Sequence, residues 1–320
     1  MYRAHFGMQE LPFTITPDTS FFFAHSSHQE ALNTLLVAAR NGEGFIKVIG
    51  EVGTGKTLLC RKFLDALDHR EFVTAYIPNP YLEPMTLMLA VADELGIKYE
   101  PDINQHQLLR LLTRYLVDNY ADRKRVILCL DEAQAMPIPT LESLRLLTNL
   151  ETERRKLMQV VLFGQPELDQ RLDQPSIRQL KQRISFSCHL VPLNLEEVEF
   201  YVSHRLVVAG YRGARLFPHK TVKQLYKASR GIPRLVNILA HKAMLAAFGE
   251  GARAINENHL RLAIADTESA RGKPSVKKRI LRYLSALVSG AAAFGILPIA
   301  ASVFSGQLIS TIMRDWSNWV

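Results

Sequence analysis

The sequence predicts an α/β fold in which a parallel sheet is sandwiched between helices, followed by a small all-α domain and a C-terminal apolar helix. Three observations carry that prediction. Short apolar, β-branched runs alternate with longer stretches of helical spacing as far as Pro192, the pattern of strand–helix–strand units. After Pro192 only helical periodicity remains, up to Asp266. Residues 283–313 then form a run of 31 without Asp, Glu, Lys, Arg or His.

Residues 44–49 form a short apolar strand closed by Gly50, and residues 57–67 repeat apolar side chains at helical spacing. Residues 72–77 are a second strand, stopped by Pro78 and Pro80. Residues 84–95 and 105–120 are helices with leucine-rich faces. The run RVILCL, residues 125–130, is continuously apolar after its arginine, as expected of a strand covered on both sides. A helix over 140–150 and strands over 158–163 and 184–190 complete the sheet. Four helices follow, over 195–209, 220–229, 234–247 and 257–266. The expected organisation is a nucleotide-binding α/β domain over 1–192, a helical domain over 193–270, a basic linker over 271–282, an apolar segment over 283–313 and a tail over 314–320.

Composition narrows the class. Of 320 residues, 48% are apolar and 22% charged, the balance of a folded globular chain. The three cysteines, Cys60, Cys129 and Cys188, lie inside apolar runs and make no C-x-x-C pattern, which excludes a disulfide framework and a structural zinc site. Cys60 is expected to pack rather than to act as a redox group. The net charge of +8 is unevenly placed: residues 271–320 hold seven Lys/Arg and one acid, leaving +2 on the other 270. A nearly neutral body argues against nucleic acid as the main partner.

Two motifs carry chemistry. Gly50, Glu51, Val52, Gly53, Thr54, Gly55, Lys56 and Thr57 match G-x-x-x-x-G-K-[ST] between a predicted strand and a predicted helix, with Leu58 next in the helix. Glycines let the backbone approach a ligand closely, and amide groups at a helix N-terminus present partial positive charge to phosphates. Lys56 adds a full charge, and the Thr57 hydroxyl is a hard oxygen suited to Mg²⁺. The second motif is Asp131-Glu132, at the end of the apolar strand. A strand-end carboxylate needs a cationic partner, so Asp131 is the expected Mg²⁺ ligand. Glu132 is the expected general base for an attacking water. Together the motifs predict an ATPase that uses ATP and Mg²⁺. Phe21, Phe22 and Phe23 fit either a core contact or the border of an adenine site.

GEVGTGKTLLCR (50–61), LDEAQ (130–134), LRLLTNLE (144–151), VLFGQPEL (161–168), RQLKQRI (178–184) and GIPRLVN (231–237) stand in this order, preceded by HFGMQELPF, TPDTSFFF and HQEAL between residues 5 and 32. Over residues 2–268 the set resembles the ExeA/MshM family of AAA+ ATPases, which serve type II secretion and MSHA-type type IV pilus biogenesis. The resemblance implies the P-loop NTPase (AAA+) fold with the helical domain as a lid, and assembly into a homo-oligomeric ring. It places Gln165 where a polar residue senses the γ-phosphate, although Asn or a hydroxyl residue is more usual there. It also places Arg183, or else Arg178, where an arginine reaches a neighbouring subunit's nucleotide. Arg234 takes the position of the second sensor. Pilus or secretion assembly proteins are the implied partners, and a transposition-targeting type of nucleic-acid-linked AAA+ ATPase is the alternative.

Residues 284–304 are long enough to cross a hydrocarbon core of about 30 Å as helix. Lys277, Lys278, Arg279 and Arg282 stand just before them, which by the positive-inside rule keeps the body in the cytoplasm. Anchoring at the cytoplasmic face of a bacterial inner membrane is therefore expected. A single pass, a re-entrant hairpin and a buried hairpin broken at Pro298 and Gly306 all fit the run. Family members with a periplasmic peptidoglycan-binding module extend well past the span, whereas 16 residues follow Phe304, so that module is not expected.

Overall fold

A computed structural model describes residues 2–148, 150 and 156–270. Five strands, β1 (Phe45–Gly50), β2 (Phe72–Ile77), β3 (Arg125–Leu130), β4 (Met158–Gly164) and β5 (Phe186–Leu190), form one parallel sheet in the order β2-β3-β4-β1-β5. The later strand β4 lies between β1 and β3. The loops that follow β1 and β3 therefore leave the same sheet edge two strand spacings apart, roughly 10 Å.

The helices are α1 (Tyr2–Phe6), α2 (Ser26–Asn41), α3 (Lys56–Asp65), α4 (Pro84–Glu94), α5 (Gln105–Ala121) and α6 (Ile138–Thr148). They continue with α7 (Glu167–Leu172), α8 (Arg178–Lys181), α9 (Leu195–Val208), α10 (His219–Ser229), α11 (Pro233–Gly249) and α12 (Glu257–Ala265).

Side chains alternate across a strand, so the apolar run of β3 divides between two cores. Val126, Leu128 and Leu130 enter one core with α4, α5 and α6, while Ile127 and Cys129 enter the other with α2 and α3. Every residue from Val126 to Leu130 is at most 1% exposed, which is why the run contains no polar residue. Removing one such leucine side chain would cost about 2–5 kcal/mol. The outer strand β5 alternates exposed and part-buried positions, as an edge strand does.

A third core belongs to α9–α12. Tyr2, Phe6, Met8 and Phe13 pack into it, and the Tyr2 hydroxyl hydrogen-bonds with Nδ1 of His241 at 2.9 Å. Buried Arg205 donates to the Pro12 carbonyl and lies 4.7 Å over the Phe21 ring. By packing, Tyr2, Phe6, Met8 and Phe13 belong with the helical core, although the sequence order places them beside the sheet.

Several element bounds differ from expectation. The strand over 184–190 starts only at Phe186, because the turn after α8 runs through Ile184, whose N–H bonds to Lys181. The helix over 140–150 starts at Ile138, with Pro139 in a first turn where a missing N–H costs nothing. Helix α2 is not among the expected elements, although Ala31, Leu35, Ala38 and Ala39 share its buried face and left-handed Gly42 closes it. The linker, apolar segment and tail over 271–320 lie outside the described residues. Among the described residues no helix is long and apolar enough to cross a membrane.

Candidate nucleotide site

β1 ends at Gly50 and α3 begins at Lys56, so the glycine-rich motif forms the turn between them. Gly53 and Gly55 adopt φ of +83° and +98°, a region in which a side chain is strained. Neither has room for one. A Cβ on Gly53 would meet Cβ of Arg234 at 2.6 Å, and one on Gly55 would meet Nε2 of His28 at 3.0 Å. Thr54 is buried and its hydroxyl donates to the Glu51 carbonyl at 2.8 Å, which braces the loop. Glu51 and Val52 are exposed at its rim, and Leu58 is half-buried in the first turn of α3.

Lys56 is 5% exposed and donates to the carbonyls of Gly50 at 2.8 Å and Glu51 at 3.1 Å. Burial lowers its pKa, against the opposing pull of Glu132, Asp131, Glu51 and Glu167. The Thr57 hydroxyl donates to Oδ2 of Asp131 at 2.5 Å, joining the two motifs across β4. Asp131 is 2% exposed; burial raises its carboxyl pKa, while bonds from Thr57 and from the Glu132 N–H at 2.9 Å oppose the rise. A hydroxyl and a carboxylate side by side are two hard oxygens, which suits Mg²⁺, an ion that takes one or two protein oxygens and fills its octahedron with phosphate and water. Thr57 and Asp131 are the residues that would hold Mg²⁺ here.

Glu132 follows with φ of +52°, a left-handed conformation that costs a non-glycine residue about 1–2 kcal/mol. Its Oε2 accepts Nε2 of Gln134 at 2.5 Å and Nε2 of Gln165 at 3.0 Å. The expected sensor Gln165 is thus brought to the expected base. Arg234 stands at the start of α11 with its side chain exposed, and its backbone N–H donates to the Gly53 carbonyl at 3.1 Å.

Arg183 is not brought into this cluster. It precedes Ser185, whose N–H bonds to the carbonyl of Phe45 at the opposite end of β1, and its guanidinium donates to Thr148 at 3.1 Å. Five strand steps of ~3.3 Å separate it from the phosphate loop, about 17 Å, which is beyond an arginine's reach. Arg178, the reserve, is exposed on α8. Of the three aromatics, Phe21 is 2% exposed beneath Arg205, the core contact rather than the adenine border. The Cys60 thiol is buried, with a pKa raised by its hydrogen bond with Cys129 and by burial, and is inert accordingly.

Three further residues at this site do not stand out in the sequence. Tyr76, the next-to-last residue of β2, directs its hydroxyl to Oδ2 of Asp131 at 3.4 Å. His28, buried against the loop, has its pKa lowered to about 3, first by burial and then by His25, whose ring lies 4.1 Å away. Gln134 has one available signal, its place two residues after Glu132 in LDEAQ.

Residues 39–172 match the family model described as AAA domain. General secretion pathway protein A of Aeromonas hydrophila is 42% identical over 271 residues, which are 85% of this chain and 49% of that protein. The chain thus spans about half the length of that curated relative. Among solved structures, Cdc6p from Pyrobaculum aerophilum aligns with a TM-score of 0.60 at 18% identity over 78% of this chain and 71% of its own. The Aeropyrum pernix ORC2 protein in its ADPNP–ADP complexes gives 0.55 at 17% over 81% and 73%. The Thermotoga maritima RuvB Holliday junction branch migration motor gives 0.53 at 15% over 89% and 86%. At such identities the structures establish the fold alone.

Proposed function

We propose that this chain, with an AAA-domain match over residues 39–172 and 42% identity to general secretion pathway protein A over 271 residues, is the Mg²⁺-dependent ATPase of a bacterial secretion or pilus machine, attached at the cytoplasmic face of the inner membrane. The observation that carries the reading is the Thr57–Asp131 hydrogen bond. It sets a hydroxyl and a carboxylate oxygen together beside Lys56 at the N-terminus of a ten-residue helix, where amide groups favour an anion. In the proposed cycle the loop amides and Lys56 grip the β- and γ-phosphates. Bound Mg²⁺ would neutralise charge developing on those phosphates. Glu132 orients and deprotonates the attacking water.

Arg183, remote from its own chain's phosphate loop, would serve a neighbouring copy in a homo-oligomeric ring, and Arg234 would sense the nucleotide in its own chain. The helical region then acts as a lid whose contact with the loop changes with nucleotide. The MSHA-type pilus branch is the finer assignment, and it rests on the ordered motifs of the sequence.

A Glu132→Gln variant loaded with ATP and captured from solubilised membranes tests which machine the ATPase serves. Recovery of pilus or secretion components supports the proposal, and recovery of none of them, with the complex intact, refutes it. Deleting residues 277–320 tests attachment, with release into the soluble fraction expected and continued sedimentation with membranes counting against it.

A nucleic-acid-linked ATPase is the second reading, favoured by one observation. Residues 200–249 hold nine Lys/Arg and no Asp/Glu, and Lys220, Lys223 and Lys227 are exposed along α10. Duplex affinity that falls steeply with salt would support it.

A further inference from the structure

We propose that Gln134 is a positioning residue that clasps the Glu132 carboxylate and ties its orientation to Gln165, an inference that rests on the ATPase reading. Gln134 lies in the short 3₁₀ turn Ala133–Ala135, which leaves directly from left-handed Glu132. A primary amide has a donor end and an acceptor end, and both are used here. Its Nε2 donates to Oε2 of Glu132 at 2.5 Å, and its Oε1 accepts the backbone N–H of Gln165 at 3.0 Å. That backbone donor sets which way the amide faces, because a flipped side chain would set NH₂ against N–H. The second amide, Nε2 of Gln165, reaches the same Glu132 oxygen at 3.0 Å.

The consequence is specific. One carboxylate oxygen is held by two amides from different elements, the turn after β3 and the end of β4. The other oxygen stays available to a water. A carboxylate on a single χ1–χ3 chain would otherwise sample several rotamers, and loss of alignment at a proton-accepting group lowers turnover without loosening the ligand. Movement of Gln165 would also move Gln134, so the base would respond to whatever displaces the end of β4.

The test uses Gln134→Glu, which keeps size and the acceptor for the Gln165 N–H but replaces the donor with a charge, and Gln134→Ala, which removes both. Full-length wild type and variants are compared for Mg-ATP affinity, melting temperature and steady-state turnover. Expected are at least tenfold losses in kcat with KM and nucleotide affinity changed less than threefold. Single-turnover rates in the Glu132→Gln background are expected to show no further loss from Gln134→Ala, because the residue it positions is already disabled. Wild-type kcat in both variants, or losses that multiply in the double variant, would overturn the clasp while leaving the ATPase reading intact. Absence of turnover in assembled wild type would overturn both.

Discussion

The backbone N–H of Arg234 donates to the carbonyl of Gly53 at 3.1 Å, so the first turn of α11 is stitched to the phosphate loop across 181 positions of sequence. Leu193, at the entry to the helical region, likewise donates to the carbonyl of Gly231 at 2.9 Å. Any change in the loop is therefore felt at the start of α11 without an intermediary.

Gly53→Ala should break that seam. The new methyl would stand 2.6 Å from Cβ of Arg234 on a backbone with φ of +83°. Strain of about 1–2 kcal/mol should lower the melting temperature by a few degrees, and Mg-ATP affinity should fall at least tenfold. Calorimetric titration checks this, and wild-type affinity in the variant would show that the contact is dispensable.

Thr57→Val removes one of the two hard oxygens and leaves the buried Asp131 carboxylate short of a donor. Stability should drop by about 1–3 kcal/mol, and the Mg²⁺ concentration for half-maximal turnover should rise severalfold or more. An unchanged Mg²⁺ titration would exclude Thr57 as a ligand.

Glu132→Gln leaves the phosphate loop untouched and abolishes proton acceptance. ATP should remain bound while turnover falls roughly 10²- to 10⁴-fold. Hydrolysis at the wild-type rate would assign the base elsewhere.

Arg183→Ala should keep nucleotide affinity and lose turnover by about a hundredfold or more, since an arginine supplied in trans acts only in the transition state. Mixing it with Lys56→Ala should restore part of the activity at shared sites. No rescue in mixed assemblies verified by native mass spectrometry would argue against a trans role.

The His28 imidazole, with its pKa lowered to about 3 from 6.5, is buried neutral. Between those values the unfolded chain binds more protons than the folded one, so stability is full above about pH 6.5 and declines as pH falls toward 3. The loss from pH 6.5 to 5 should approach about 2 kcal/mol, at 1.4 kcal/mol per pH unit. His25, whose pKa is lowered chiefly by burial, acts in the same direction. Urea unfolding of His28→Gln at both pH values should show a shallower decline than wild type. Equal declines would remove the histidine from the acid response.

The bounds of β2 and β3 are legible to the residue, because an apolar run between turn formers is a local property of the chain. Helix α2 is harder to see because His25 gives it no side-chain cap to mark its start, although Ala31, Leu32, Leu35, Ala38 and Ala39 recur at helical spacing and Gly42 closes it. Short α7 and α8 offer too few turns for periodicity to register.

By itself the sequence determined the strand–helix alternation, the loop of Gly50–Thr57 and the strand-end pair Asp131 and Glu132, since each is encoded in contiguous residues whose geometry follows from backbone sterics and hydrophobic period. Only the tertiary structure decided that Thr57 bonds Asp131, that Gln134 and Gln165 share one oxygen of Glu132, that His28 closes over Gly55, and that Arg183 stands at the far end of β1. Those relations join residues brought together by sheet order and core packing, and hydrogen bonds of about 3 Å depend on where whole elements dock, which no local pattern records.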